Sequence, residues 1–75
     1  MERYANRGGD SNVFAYEIEP SSIQVQFGDG SIYLYTDQSA GAANLAQMKQ
    51  LANAGQGLNS FINRAVRKGW ASKNR

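Results

Sequence analysis

The sequence predicts an α+β domain, a three-stranded antiparallel β-meander followed by two α-helices packed on one face. Three observations carry that reading. Residues 13–35 hold three short runs that alternate apolar and polar side chains, with turn signals between them. Residues 38–68 switch to the helical period. At 75 residues the chain has room for one modest core.

Each element follows from its own residues. Residues 1–11 have no period, two glycines and mixed charge, and predict a flexible arm ahead of a single domain over 12–75. Val13 to Ile18 is the first strand, with Phe14, Tyr16 and Ile18 on one face. "EPSS" is a turn, with Pro20 where its fixed φ is wanted. Ile23, Val25 and Phe27 alternate with Gln24 and Gln26 in the second strand. Ile32 to Tyr35 is the third.

The connection "GDG", residues 28–30, leaves two registers open. A two-residue turn at Asp29-Gly30 sets Phe27 against Ile32 and puts Tyr33 and Tyr35 outside, where they could stack on bases. A three-residue loop with Gly30 left-handed sets Val25 against Tyr33 and Ile23 against Tyr35, and buries both rings. A slip of one residue exchanges the two faces of a strand. Hiding Ile32 and Leu34 favours the first register.

In "TDQSAGAANLAQMKQLANAG", Asp37 or Ser39 can cap a helix. Leu45, Met48, Leu51 and Ala52 form its stripe, and Gly55 ends it. The last helix lies in "GQGLNSFINRAVRKGW". Leu58, Phe61, Ile62, Ala65 and Val66 follow the spacing of one buried stripe, with Arg64, Arg67 and Lys68 opposite. Lys68-Gly69 is a natural stop, with Gly69 at the left-handed cap and Trp70 folding back toward Ala65.

Composition narrows the function. Cysteine and histidine are absent, which excludes disulfides, thiolate zinc sites and imidazole ligands, so no metal or cofactor is expected. Catalysis is the least expected class: no nucleophile–base set exists, and Glu17 and Glu19 read as a solvated strand face. No apolar run resembles a signal peptide or a membrane span, so a cytoplasmic protein is expected. All six acids fall in residues 1–37, for a net −4, whereas residues 38–75 carry six bases and no acid. Such a split attracts acidic partners to the basic half.

The strand pattern Y-x6-I-x-V-x-F-x-x-G-x-x-Y-x-Y, Tyr16 through Tyr35, with the glycine-preceded "LNSFINRAV", resembles the KTSC domain. That small domain occurs at the C-terminus of some lysyl-tRNA synthetases and as a stand-alone protein. The resemblance covers roughly residues 11–71. Two departures stand out: "TDQSAGA" replaces a usual valine-proline after the tyrosines, and Trp70 stands where a tyrosine is usual. The resemblance implies inward tyrosines, and hence the three-residue loop. It supplies no catalytic residues.

Two functions remain. The first is a non-enzymatic nucleic-acid-binding module for RNA or single-stranded DNA. Arg64, Arg67, Lys68, Lys73 and Arg75 would meet phosphates, Trp70 would stack on a base, and Asn63 would hydrogen-bond one. Asn59 and Asn63, one turn apart, either serve the fold, Asn59 as the helix cap and Asn63 as a donor to a nearby loop or strand carbonyl, or form a polar row with Arg67. The second is a protein-interaction module, a homodimer or docking domain, using the alanine-rich first helix. Trp70 discriminates: packed on Ala65 and Phe61 it is core, and exposed beside Arg67 it is a site.

Overall fold

Two turn signals fold the middle of the chain back on itself, as expected, and the ends of the chain then extend the resulting sheet. The computed structural model describes residues 1–7, 9 and 12–74. Strands β1 (Glu2–Arg3), β2 (Val13–Glu19), β3 (Ser22–Phe27) and β4 (Ile32–Thr36) precede helices α1 (Asp37–Ala40), α2 (Ala42–Ala54) and α3 (Leu58–Ala65). Strand β5 (Trp70–Asn74) closes the chain. The sheet is antiparallel in the order β1-β2-β3-β4-β5. The fold is therefore α+β, with five strands rather than three and three helical segments rather than two.

The β3–β4 hairpin settles the register. Ile23 lies opposite Tyr35 and Val25 opposite Tyr33. Gly30 takes φ +92°. The loop closes with Phe27 N–H donating to Ser31 O at 2.9 Å and Gly30 N–H donating to Phe27 O at 2.9 Å. A positive φ is natural for glycine and strained for most residues, so Gly30 selects the three-residue loop. The tyrosines turn inward: Tyr35 is 1% exposed and Tyr33 half-buried. Tyrosines on the outer face, stacking on bases, are thereby ruled out.

In β2 the expected inner face needs correcting. Ile18 opposes Ile23, yet it is exposed rather than buried, and Tyr16 opposes Val25, but Val13 opposes Phe27 and Ala15 opposes Gln26. Phe14 is the extra residue of a β-bulge, so the alternation breaks there. Val13 takes the core position, and Phe14 is 45% exposed with the Arg3 guanidinium 4.7 Å from its ring centre.

The segment read as an arm supplies β1 and a core residue. Tyr4 is buried, and its hydroxyl accepts from the Leu58 N–H at 3.3 Å. Arg7 then grips the α2–α3 turn, its N–H donating to Gly55 O at 2.7 Å and its Nε to Ala54 O at 2.9 Å. Gly8, Asp10 and Ser11, the rest of that expectation, lie outside the described residues.

Helix one is divided. Thr36, not Asp37 or Ser39, is the cap: its side chain accepts from Ser39 N–H while Ser39 Oγ accepts from Thr36 N–H, a capping box. After one turn Gly41, at φ +94°, redirects the chain into α2. Leu45, Met48 and Ala52 are buried as predicted, and Gly55 caps α2 in the left-handed conformation. They meet Leu58, Phe61, Ile62 and Val66 and the inner sheet residues Tyr16, Ile23, Val25 and Tyr35 in one core.

Helix α3 ends earlier than predicted. Val66, not Gly69, is its C-terminal cap, Ala65 is exposed, and Gly69 is not among the positive-φ glycines. What Gly69 needs is space. A Cβ there would lie 3.2 Å from Ser39 O and 3.4 Å from Ala40 Cα. The chain passes tightly against α1 and enters β5, where Trp70 pairs with Tyr35 and Lys73 with Tyr33. Trp70 therefore packs on the sheet rather than folding back on Ala65.

Candidate functional site

The inward tyrosines and α3 bound a cleft of about 290 Å³ at one end of the sheet. Its walls come from three places. Tyr33 and Tyr35 rise from β4, and Phe27, Asp29 and Ser31 come from the adjoining hairpin. Asn59, Ile62 and Asn63 project from α3, with Arg67 just beyond it, and Asn12 completes the rim. Helical spacing explains the α3 set, since Asn59, Ile62 and Asn63 recur at i, i+3 and i+4.

The hairpin rim is held by its own hydrogen bonds. Asp29 Oδ1 accepts from Ser31 N–H at 3.0 Å and from Ser31 Oγ at 2.6 Å. Gly28 N–H donates to Asn12 O at 2.8 Å, tying the rim to the start of β2. The α3 side differs. Gly57 is the N-terminal cap of α3 and no side chain caps it. Among the described residues, the side chains of Asn59, Asn63 and Arg67 make no hydrogen bond or ion pair. The structural role open to the two asparagines, a helix cap and a carbonyl partner, is thus not the one they take. They bring amide donors and acceptors, and Arg67 five N–H donors, to one cleft without an internal partner.

Tyr33 connects the cleft to β5. Its ring meets Phe27 edge-on at 5.2 Å and Trp70 edge-on at 5.8 Å, and lies near-parallel to Tyr35 at 6.4 Å. Lys73 Nζ sits 5.3 Å from the same ring centre, within range of a cation–π contact. Trp70 is 39% exposed, so it is neither sealed in the core nor free of it. Arg64 goes elsewhere, its guanidinium 5.7 Å from the Phe61 ring centre. Lys68 is exposed in the turn after α3 and does not line the cleft, and Arg75 lies outside the described residues. Of the residues singled out from the sequence, Asn59, Asn63 and Arg67 meet in the cleft, and Trp70 and Lys73 adjoin it. Asn12, Asp29 and Ser31 were missed. The Asp-Gly-Ser spacing that lets Asp29 clasp Ser31 was readable, whereas the approach of Asn12 depends on the bulge in β2.

The phenol of Tyr35 is pushed up to about 12, first by burial and then by the neighbouring Tyr33. Burial penalises the phenolate, so Tyr35 stays a neutral hydrogen-bonding group at the cleft floor. A consequence follows for stability. In the unfolded chain Tyr35 ionises near 10, while in the fold it holds its proton to about 12. The contribution of Tyr35 to stability is then fully present below pH 10 and is lost as pH rises from 10 through 12. Urea midpoints measured from pH 9 to 12 should fall across that window, and Tyr35→Phe should flatten the fall; an unchanged slope in that variant would contradict the assignment.

Among the described residues no group of three His, Cys, Asp or Glu side chains could hold a metal ion. None of their helices is long and apolar enough to cross a membrane. No family model, curated protein or solved structure matches the chain.

Proposed function

We propose that this chain is a non-enzymatic module that binds single-stranded nucleic acid where the end of α3 meets β5. One observation carries the reading: three polar side chains with no partner among the described residues, Asn59, Asn63 and Arg67, converge on one cleft. Trp70 and Lys73 both pack on Tyr33, a wall of that cleft. Sheet order adds support. Glu17 and Glu19 lie on β2, with β3 and β4 between them and the cationic β5. A strand would run its phosphates past Arg67, Lys68 and Lys73.

Fluorescence anisotropy with labelled single-stranded RNA, single-stranded DNA and duplex DNA tests this. Three phosphate contacts give a slope of about −2 for log affinity against log salt on a single strand. Replacing Arg67 and Lys73 together by alanine should bring it to about −0.7. Absence of binding to any single strand at low salt would end the reading. The rival, a homodimer or docking module, draws on α2, where Ala42, Ala43 and Ala46 are exposed. Sedimentation of the unliganded protein distinguishes a dimer from a monomer.

A further inference from the structure

We propose that the cleft seats one unpaired nucleobase, with the amides of Asn59 and Asn63 reading its edge and Arg67 holding the adjoining phosphate. This rests on the nucleic-acid reading and goes beyond it, because phosphate contacts alone would not use the cleft. Its volume, about 290 Å³, sits at the low end of small-ligand pockets, roughly 300–1,000 Å³. That suits a monomer unit and not a stacked pair. The lining is divided as a base requires. Phe27 and Ile62 offer apolar surface for a flat ring, and the two amides offer paired donors and acceptors for its edge. Stacking on Tyr33 itself is limited, since Lys73 and Tyr35 already lie against that ring. Discrimination therefore falls to the amides, which no other group among the described residues engages. A base paired within a duplex has its Watson–Crick edge taken and both faces stacked, so occupancy of the cleft requires a single strand or an extruded base.

The test compares a ten-nucleotide single strand of mixed sequence with an abasic ten-unit strand that keeps every sugar and phosphate. Expected is binding of the abasic strand roughly tenfold weaker or more, the scale of one base engaged by the protein. Asn59→Ala with Asn63→Ala should bring the base-bearing strand down toward the abasic level and leave the abasic strand unchanged. Arg67→Ala should weaken both. In ¹⁵N-resolved NMR spectra of the wild-type protein, the side-chain amide signals of Asn59 and Asn63 should move with the base-bearing strand and stay in place with the abasic one. Equal affinity for the two strands overturns the base-in-cleft assignment and leaves the nucleic-acid reading standing. So does a preference for bases that survives the double asparagine change. Failure of both strands to bind at low salt overturns both.

Discussion

Replacing Gly55 by alanine is expected to remove about half of the protein's stability. Two costs add. Gly55 sits at φ +76°, where an L-residue is disfavoured by roughly 1–2 kcal/mol. A Cβ placed there would also stand 2.5 Å from the Ala5 Cβ, with Ala5 Cα and N behind it. Forcing an extra methyl into a filled site costs a further 1–3 kcal/mol or so. A chain of this length has roughly 4–11 kcal/mol in total, so the change is large. It also strikes a junction: Gly55 N–H donates to Leu51 O at 2.9 Å and Gly55 O accepts from Arg7 N–H. Urea unfolding followed by circular dichroism should show the midpoint fall by about half. Adding Ala5→Gly should restore the part due to the clash and not the part due to φ. A midpoint equal to wild type in the single variant would show that residues 4–7 do not clamp this turn in solution.

Gly55 also marks where the sequence was readable. Its role as a helix terminator follows from glycine after a periodic run, and so do the buried residues of α2 and α3. Its second role, contact with Ala5, does not. Residues 1–7 carry no period, and a strand of two residues leaves no alternation to read. Tyr4 becomes core only because β1 pairs with β2 and brings its ring under the start of α3. The same limit hid β5. "WASKN" is polar and short, and its place depends on Gly69 passing close to Ser39 and Ala40, a contact between segments thirty residues apart. Phe14 failed differently: strict alternation assigned it to the core, and one bulge exchanged it with Val13. The candidate site was legible where one helix carries it, as in Asn59 and Asn63, with Arg67 just past its end. The facing wall required the register of β3 and β4, which alternation left open and Gly30 decides.

Tyr35→Ala is the second change expected to have a large effect, and it tests that register directly. Tyr35 is 1% exposed, pairs with Ile23 on one side and Trp70 on the other, and forms part of the cleft floor. With the tyrosines inside, truncation opens a cavity between sheet and helices and should cost about 3–5 kcal/mol, the scale of large-to-small changes at buried aromatic positions. In the opposite register the ring would be solvent-exposed, and the same change would fall within about 0.5 kcal/mol. Urea unfolding separates these outcomes without ambiguity. Tyr35→Phe supplies the control: it keeps the packing, so the midpoint at neutral pH should stay near wild type while the alkaline fall flattens, leaving the part due to Tyr16, whose phenol is also pushed up by burial. Loss of stability in both variants alike would place the hydroxyl, rather than the ring, at the centre of the structure. If Tyr35→Ala is too unstable to purify, Tyr35→Leu keeps part of the buried volume and should fall between the two. The cleft links this to binding. A floor that collapses should weaken the base-bearing strand in proportion to the folded fraction lost, whereas Tyr35→Phe, fully folded, isolates what the phenol contributes to the ligand.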